Sequence, residues 1–523
     1  MLRSFAVFSI AVTLGAVFMW VVDALPPRIV RVVPEVASPG EVVRIVGRGF
    51  GGEPGKVWVG GRQILRRNVR SWSPRAVEVV LPRDVESGFV VVEARDGSRS
   101  NGALFAVKEE IPVVYEESAS PVLSEAEPAR VRIGELVRVS GGGLSRLREG
   151  GRVFVTWAGR AAVQGEASRF LPVPTDQVIS WTDEEVVFRM PEGAAGGEVF
   201  LARGEERSSG VFVEVDTAPG RREYGDAVTY ALTFRTTVEG VRFQPAGVVV
   251  AWLPRVLRTH WQRNIRDVEE TPPAFFQNDR RLAFRFSSGP GVLIAERAVV
   301  CDVYPVWIED VDPHLSFSEA EVSSYEAYTR PSGAIDAGDE RLGGLFEELT
   351  GTAYERLWRL FTWVRDVVGY DPGGPGEPAQ VLAAGRGSSL GKARLLAELG
   401  RMAGLPVRLV GGVLLEGRGD LGWYYWVEAA LPGMGWVPVD PTAIQRVVRI
   451  PEGYRGQDEM FFLGGISAQH LLLFREGAST ERLVPGGEAA LSEEAPALWG
   501  ASHEWRGVSF DRISYSVEVV GVY

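Results

Sequence analysis

Residues 385–412 read GRGSSLGKARLLAELGRMAGLPVRLVGG, and the reading of the fold starts there. Apolar residues recur at helical spacing from about Leu390 to Ala403, which predicts a helix with Leu395, Leu396 and Leu399 turned to a core. Gly404-Leu405-Pro406 ends it, since proline cannot continue a helix, and VRLVGGVLL begins a strand. GWYYWVEAALP and GWVPVDPT follow as two further strands. Upstream, Tyr354 to Val368 reads YERLWRLFTWVRDVV. Tyr354, Leu357, Trp358, Phe361, Val364 and Val368 fall at i, i+3, i+4 and i+7, the stripe of an amphipathic helix. Tyr370-Asp371-Pro372 and several glycines close it.

The order of these pieces, WVRDVVGYD, then the 385–412 stretch, then WVEAALPGMGWVPVDPT, resembles the transglutaminase-like core, a papain-type α+β fold, over residues 335–450. The resemblance implies a Cys–His–Asp triad for thiol-based acyl transfer. Its cysteine opens the central helix, its histidine lies on a neighbouring strand, and its aspartate orients the histidine from the next strand. Mapped onto this chain, the nucleophile position is Ser389, the histidine position Tyr424 and the aspartate position Asp440. A serine hydroxyl needs a base that titrates near the working pH, as histidine does. A phenol with a reference pKa of about 10 is not one. The expectation is therefore an inactive trio, with His470 and His503 the candidates to bring in a missing base from elsewhere. The alternative is a hydrolase or acyl transferase with an atypical serine-based site. Trp423, Tyr425, Trp426 and Trp436 cluster around the trio as candidate ligand-contacting aromatics, or as sheet packing.

Two hundred residues before this core repeat one pattern. The first copy, within residues 26–108, runs SPGEVVRIVGRGF, KVWVGG, SWSPRAVEVVLP and GFVVVEARDGSRSNGALFAV. The second, within 112–216, runs RIGELVRVSGGGL, RVFVTWAG, SWTDEEVVFRMP and GEVFLARGEERSSGVFVEV. Gly40-Glu41 matches Gly134-Glu135, Trp72 matches Trp181, and Pro82 matches Pro191. Short alternating strands between Gly, Pro, Asp and Ser turns predict two sandwiches. They resemble IPT/TIG immunoglobulin-like domains, which implies spacers or protein-contact modules. A further β-sandwich is expected over 222–308, with Cys301 as a buried, inert thiol, and a β-rich extension over 451–523.

At the start of the chain, FAVFSIAVTLGAVFMWVV from Phe5 to Val22 carries no charge and follows Arg3. At 1.5 Å per residue it is just long enough to cross a bilayer. It is taken as a signal anchor in residues 1–25, with Val22-Asp23-Ala24 as the cleavage site should it be removed. The remaining domains are then expected outside the cytoplasm, in the cell envelope of a bacterium. The chain of 523 residues is 45% hydrophobic and 24% charged, with a net charge of -12. That balance argues against nucleic-acid binding, which needs a basic footprint. One cysteine excludes an intrachain disulfide. His260, His314, His470 and His503 lack metal-ligand spacing, so neither metal nor cofactor is expected. The fold class is thus a mainly β multidomain chain: a transmembrane helix, two immunoglobulin-like sandwiches, a third β-sandwich and an α+β transglutaminase-like core. The expected role is non-catalytic binding or scaffolding of a peptide, glycan or protein.

Overall fold

Strand alternation governs most of the computed structural model, which is mainly β. It describes residues 26–108, 120–159, 169–289, 291–416, 419–446, 448–477, 482–491 and 501–523. The apolar run at 5–22 lies outside the described residues. Among the described residues, no helix is long and apolar enough to cross a membrane.

The chain divides into two units, residues 1–118 and 119–523. In the first, one sheet orders Arg28–Val33, Val42–Arg48, Ala76–Val80 and Val69–Ser73. A second orders Val36–Ala37, Ala103–Val107, Gly88–Glu93, Lys56–Val59 and Arg62–Gln63. Inward residues of both, among them Ile45, Val57, Val77, Val92 and Phe105, form one apolar core of their own.

The second unit opens on the other copy of the same module. Its sheets order Val122–Glu127, Leu136–Gly142, Glu185–Arg189, Val178–Trp181, and Arg130–Val131, Val211–Val215, Ala194–Arg203, Arg152–Trp157, Phe170–Pro172. Two turn bonds recur in both copies. Gly40 N donates to Leu81 O, and Gly134 N to Met190 O. The Glu41 carboxylate accepts from Ser38 N, and that of Glu135 from Arg132 N, each at 2.8 Å.

The next β-region, expected to end near residue 308, is completed from the C-terminus. Arg512–Val522 pairs along Val228–Glu239, and Ala501–Ser509 pairs along Arg242–Pro254. The 451–523 stretch is thus not one extension. It divides between this β-domain and a separate four-stranded sheet, which His470–Arg475 joins.

That last sheet contains β1 (Val407–Leu414), β2 (Trp423–Leu431), β3 (Gly435–Val439) and β4 (His470–Arg475), in the order β3–β2–β1–β4. Helices α1 (Ala353–Val367) and α2 (Ser389–Met402) belong to the same core. Helix α1 starts on a capping box in which Thr352 and Glu355 bond reciprocally, satisfying N–H groups that have no intrahelical acceptor. Its buried face is Leu357, Leu360, Phe361 and Val364; Trp358, expected on that face, is exposed. In α2, Leu395, Leu396 and Leu399 are fully buried. One apolar core runs from Leu123 in the second module to Val519 at the C-terminus.

Candidate functional site

Helix α2 places the first site residue. Ser388 is its N-cap, with Oγ accepting from Gly391 N at 3.2 Å, and Ser389 is the first helical residue. The turn sits tight on the preceding loop. A Cβ on Gly391 would stand 2.2 Å from Pro375 O, so only glycine lets this helix end approach the loop closely. Strand β2 supplies Tyr424, and the turn after β3 supplies Asp440.

Tyr424 and Ser389 line one cleft of about 760 Å³, with Tyr370, Trp423, Tyr425 and the 372–376 loop among the other lining residues. Tyr424 Oη donates to Asp440 Oδ2 at 2.8 Å. Asp440 Oδ1 accepts from the backbone N–H groups of Thr442 and Ala443 at 2.8 and 3.1 Å, which fixes the carboxylate on its own turn.

The residue that sequence reasoning could not place is His470. It stands at the start of β4 with no exposure, and its Nε2 lies 3.0 Å from Asp440 Oδ2. Its Nδ1 lies 2.9 Å from Ser467 Oγ. Ser467, His470 and Asp440 are therefore linked like a serine hydrolase relay. Ser467 is only 1% exposed, however, and a nucleophile that no substrate reaches does no chemistry. Both His470 nitrogens are engaged, so the imidazole serves Asp440 and leaves Ser389 without a base. His503 is elsewhere, on Ala501–Ser509 beside Ser502, and burial pushes its pKa down to about 4.

Electrostatics strengthen the same conclusion. Burial, and next the Asp440 charge, hold the Tyr424 phenol well above its ordinary pKa. It stays protonated at neutral pH and keeps donating. Among the described residues, Ser389 Oγ has no hydrogen-bond partner, although the residue is 7% exposed. One turn along α2, Lys392 is fully buried, with Nζ donating to Val368 O at 2.6 Å and to Gln445 Oε1 at 2.9 Å. Burial lowers its pKa to about 8, against the opposing pull of Asp440 and Asp366. At the cleft rim, Arg446 is paired with Glu416 and Arg394 with Glu377.

The aromatic cluster separates. Trp423 and Tyr425 line the cleft. Trp426 is fully buried, with its ring against that of His470. Trp436 packs between Tyr325 and Tyr328, under the Arg408 guanidinium, in a separate hollow. Trp426 is thus sheet packing, whereas Trp436 lines a hollow other than the one that holds Ser389 and Tyr424. Glu428 is also structural. Burial opposes its charge, but Arg408 and Arg475 outweigh that and lower its pKa to about 2. Cys301 is buried and pushed up to about 12 by burial and then by Asp302, which makes it an inert thiol. Among the described residues, no group of three or more His, Cys, Asp or Glu side chains converges.

Comparison with known proteins finds three kinds of similarity. A cyclomaltodextrin glucanotransferase of Bacillus sp. (strain 6.6.3) is 32% identical over 94 residues, which is 18% of this chain and 13% of the enzyme. That of Paenibacillus macerans is 33% identical over 96 residues, again 13% of the enzyme's length. Among solved structures, a protein named as a cysteine protease from Cytophaga hutchinsonii is 14% identical, with a TM-score of 0.37 over 58% of this chain and 93% of that one. SGBP-B from a xyloglucan utilization locus of Bacteroides uniformis is 12% identical, with a TM-score of 0.14 over 54% of this chain and 99% of that one. A model of the transglutaminase-like superfamily matches residues 345–441, the segment that runs through α1, α2 and β1–β3 to Asp440. Residues 345–441 form a transglutaminase-like domain.

Proposed function

We propose that the transglutaminase-like domain is a binding module without acyl-transfer activity, acting in the cell envelope on a peptide, glycan or protein partner. The observation that carries the reading is the state of the trio. Tyr424 spends its only proton on Asp440, His470 spends both nitrogens on Asp440 and Ser467, and Ser389 faces the cleft with no base. General base catalysis by a well-placed group contributes about 10²–10⁴-fold in rate, and here it is missing together with the thiol. The two β-modules, read as IPT/TIG-like, act as spacers that present the cleft. The run at 5–22 tethers the chain, with the rest outside the cytoplasm. The 94-residue stretch shared with a cyclomaltodextrin glucanotransferase supports a glycan as one class of partner. A reporter enzyme fused after Tyr523 should be active only outside the cytoplasm; cytoplasmic activity reverses the topology.

The second reading is a serine-based hydrolase or acyl transferase, and Lys392 is the observation in its favour. It stands one helical turn from Ser389, with an amine that titrates near pH 8. Its hydrogen bonds run to Val368 and Gln445 instead, which is why the binding reading leads. The deciding experiment screens purified protein against activated esters and peptide libraries between pH 7 and 9. No turnover is expected. Turnover that Ser389→Ala abolishes would make this an enzyme.

A further inference from the structure

The hollow lined by Trp436 shares no residue with the cleft and encloses about 260 Å³. Four parts of the second unit wall it: the second β-module, the loop before Gln262–Thr271, the Glu319–Tyr325 helix with the turn after it, and strands β1, β3 and β4. Small ligands are held preferentially at such junctions between domains.

Two buried side chains on these walls keep a polar atom unpaired. Tyr325 is 7% exposed, and its Oη has no hydrogen-bond partner among the described residues. His260 is 9% exposed, with Nδ1 2.8 Å from Tyr224 Oη, and its Nε2 has no partner among the described residues. Tyr328 Oη, also on the hollow, is likewise unpartnered there. Buried polar groups are nearly always satisfied, so two of them on one small hollow mark a place for ligand atoms.

Both groups are neutral. Burial first, and next Glu192 and Glu321, hold the Tyr325 phenol well above its ordinary pKa. Burial first, and next Arg222, hold the His260 imidazole well below its own. The walls are neutral in sum as well. Their four arginines are matched by Asp176, Glu192, Glu321 and Glu428, the last of which pairs with Arg408 and Arg475.

We infer that this hollow binds one neutral sugar ring, its hydroxyls on Tyr325 Oη and His260 Nε2 and its C–H face against the rings of Tyr328 and Trp436. A carboxylate or phosphate asks for donors alone, and an ammonium for acceptors alone. A phenol both donates and accepts, and a neutral imidazole nitrogen does one or the other by tautomer. Sugar hydroxyls, which also give and take, match both. Aromatic faces supply the apolar half of the contact. The volume falls below the range of about 300–1,000 Å³ of pockets for drug-sized ligands, so one ring enters and any chain attached to it leads out. The same chemistry serves a free monosaccharide and the end of a glycan. The inference is independent of what the cleft takes, because no residue of the cleft contributes to it.

The test is saturation-transfer difference NMR on the full chain in a sugar-free detergent. The probes are D-glucose, D-galactose, D-mannose and N-acetyl-D-glucosamine, with D-glucuronate as an anionic and D-glucosamine as a cationic counterpart. Each is taken to about 20 mM, where a site of millimolar Kd is largely filled. At least one neutral sugar should bind, and both charged counterparts should bind at least fivefold more weakly. Tyr325→Phe, which removes only the hydroxyl, should weaken binding at least threefold. Tyr328→Ala, at a half-buried position that folding tolerates more readily, should do the same. Linear trisaccharides of the sugar that binds separate the two sources. Tighter binding than the monosaccharide places the end of a glycan in the hollow, equal binding places a free sugar there, and either supports the site. No binding of any neutral probe overturns the inference, and so does binding that both variants leave unchanged. Preference for the glucuronate or the glucosamine overturns the assignment of a neutral ring.

Discussion

The two β-modules share turns, registers and capping bonds, yet they end in different kinds of structure. The first closes a core entirely from residues 29–107. The second runs into a core that continues through the β-domain to the transglutaminase-like sheet. One insertion falls at the junction. Where the first copy reads KVWVGG, the second reads RVFVTWAG, and the added Trp157 is 4% exposed. The Arg263 guanidinium lies 3.7 Å from its ring centroid, and Tyr224 and Tyr304 meet it edge-on at 5.2 and 5.0 Å. Around this joint the module also touches its neighbours closely. A Cβ on Gly193 would stand 2.3 Å from His260 Cβ, and Glu192 accepts from Trp436 N at 3.3 Å. A repeated sandwich is therefore a separable body in one place and a wall of the site-bearing unit in the other. The pattern of the repeat is common to both, and a single aromatic anchor helps tell them apart.

The comparison can be broken most forcefully at that anchor. Trp157→Ala should cost the second unit about 3–5 kcal/mol, lowering its transition in differential scanning calorimetry while leaving the first unit's unchanged. Loss from both transitions would mean that the two bodies fold as one. The converse substitution is Ile45→Ala, at a fully buried site of the first module. It should cost about 2–5 kcal/mol and shift only the other transition, with ligand retention by the cleft intact.

A pH series sharpens the contrast. The pKa of Lys392 falls from 10.5 when unfolded to about 8 when folded. Below pH 8 both states are protonated and the folded state bears the full burial penalty. Between pH 8 and about 10.5 the unfolded state binds more protons, so the second unit should gain stability as pH rises. Lys392→Met should flatten that rise, measured by urea midpoints at each pH. The first module is the internal control, since its Lys56 is half exposed and paired with Glu93.

The smallest effect tests the sameness of the two copies. The Trp72 indole donates to Phe50 O and Gly51 O at 3.2 Å, and that of Trp181 to Leu144 O at 2.8 Å. Trp72→Phe and Trp181→Phe should each cost about 1 kcal/mol, with the loss appearing in different transitions. A loss several times larger at Trp181 would show that its burial among neighbours, and not the shared bond, sets its weight.

Much of this was legible in the residues themselves. Periodicity marked both helices, alternation marked the strands, and the family resemblance marked Ser389, Tyr424 and Asp440, of which the first two line the cleft and the third bonds to Tyr424. Those signals are local or carried by a motif, so the chain declares them over a few turns. What no local signal declared was pairing across distance. Tyr230 lies beside Val522, and Ala251 beside His503, so the C-terminal strands complete a sandwich begun nearly three hundred residues earlier. His470 reaches Asp440 because β4 enters the sheet beside β1, and nothing in SAQHLLLF announces that neighbour. Alternation showed that Trp426 and Trp436 lie on sheet faces, but the covering partners, His470 in one case and Tyr325 with Tyr328 in the other, come from remote parts of the chain. Sequence determined which side chains stand on which element. Tertiary structure decided what each of them meets, because burial and hydrogen-bond partners depend on which distant surfaces exclude water from the same place.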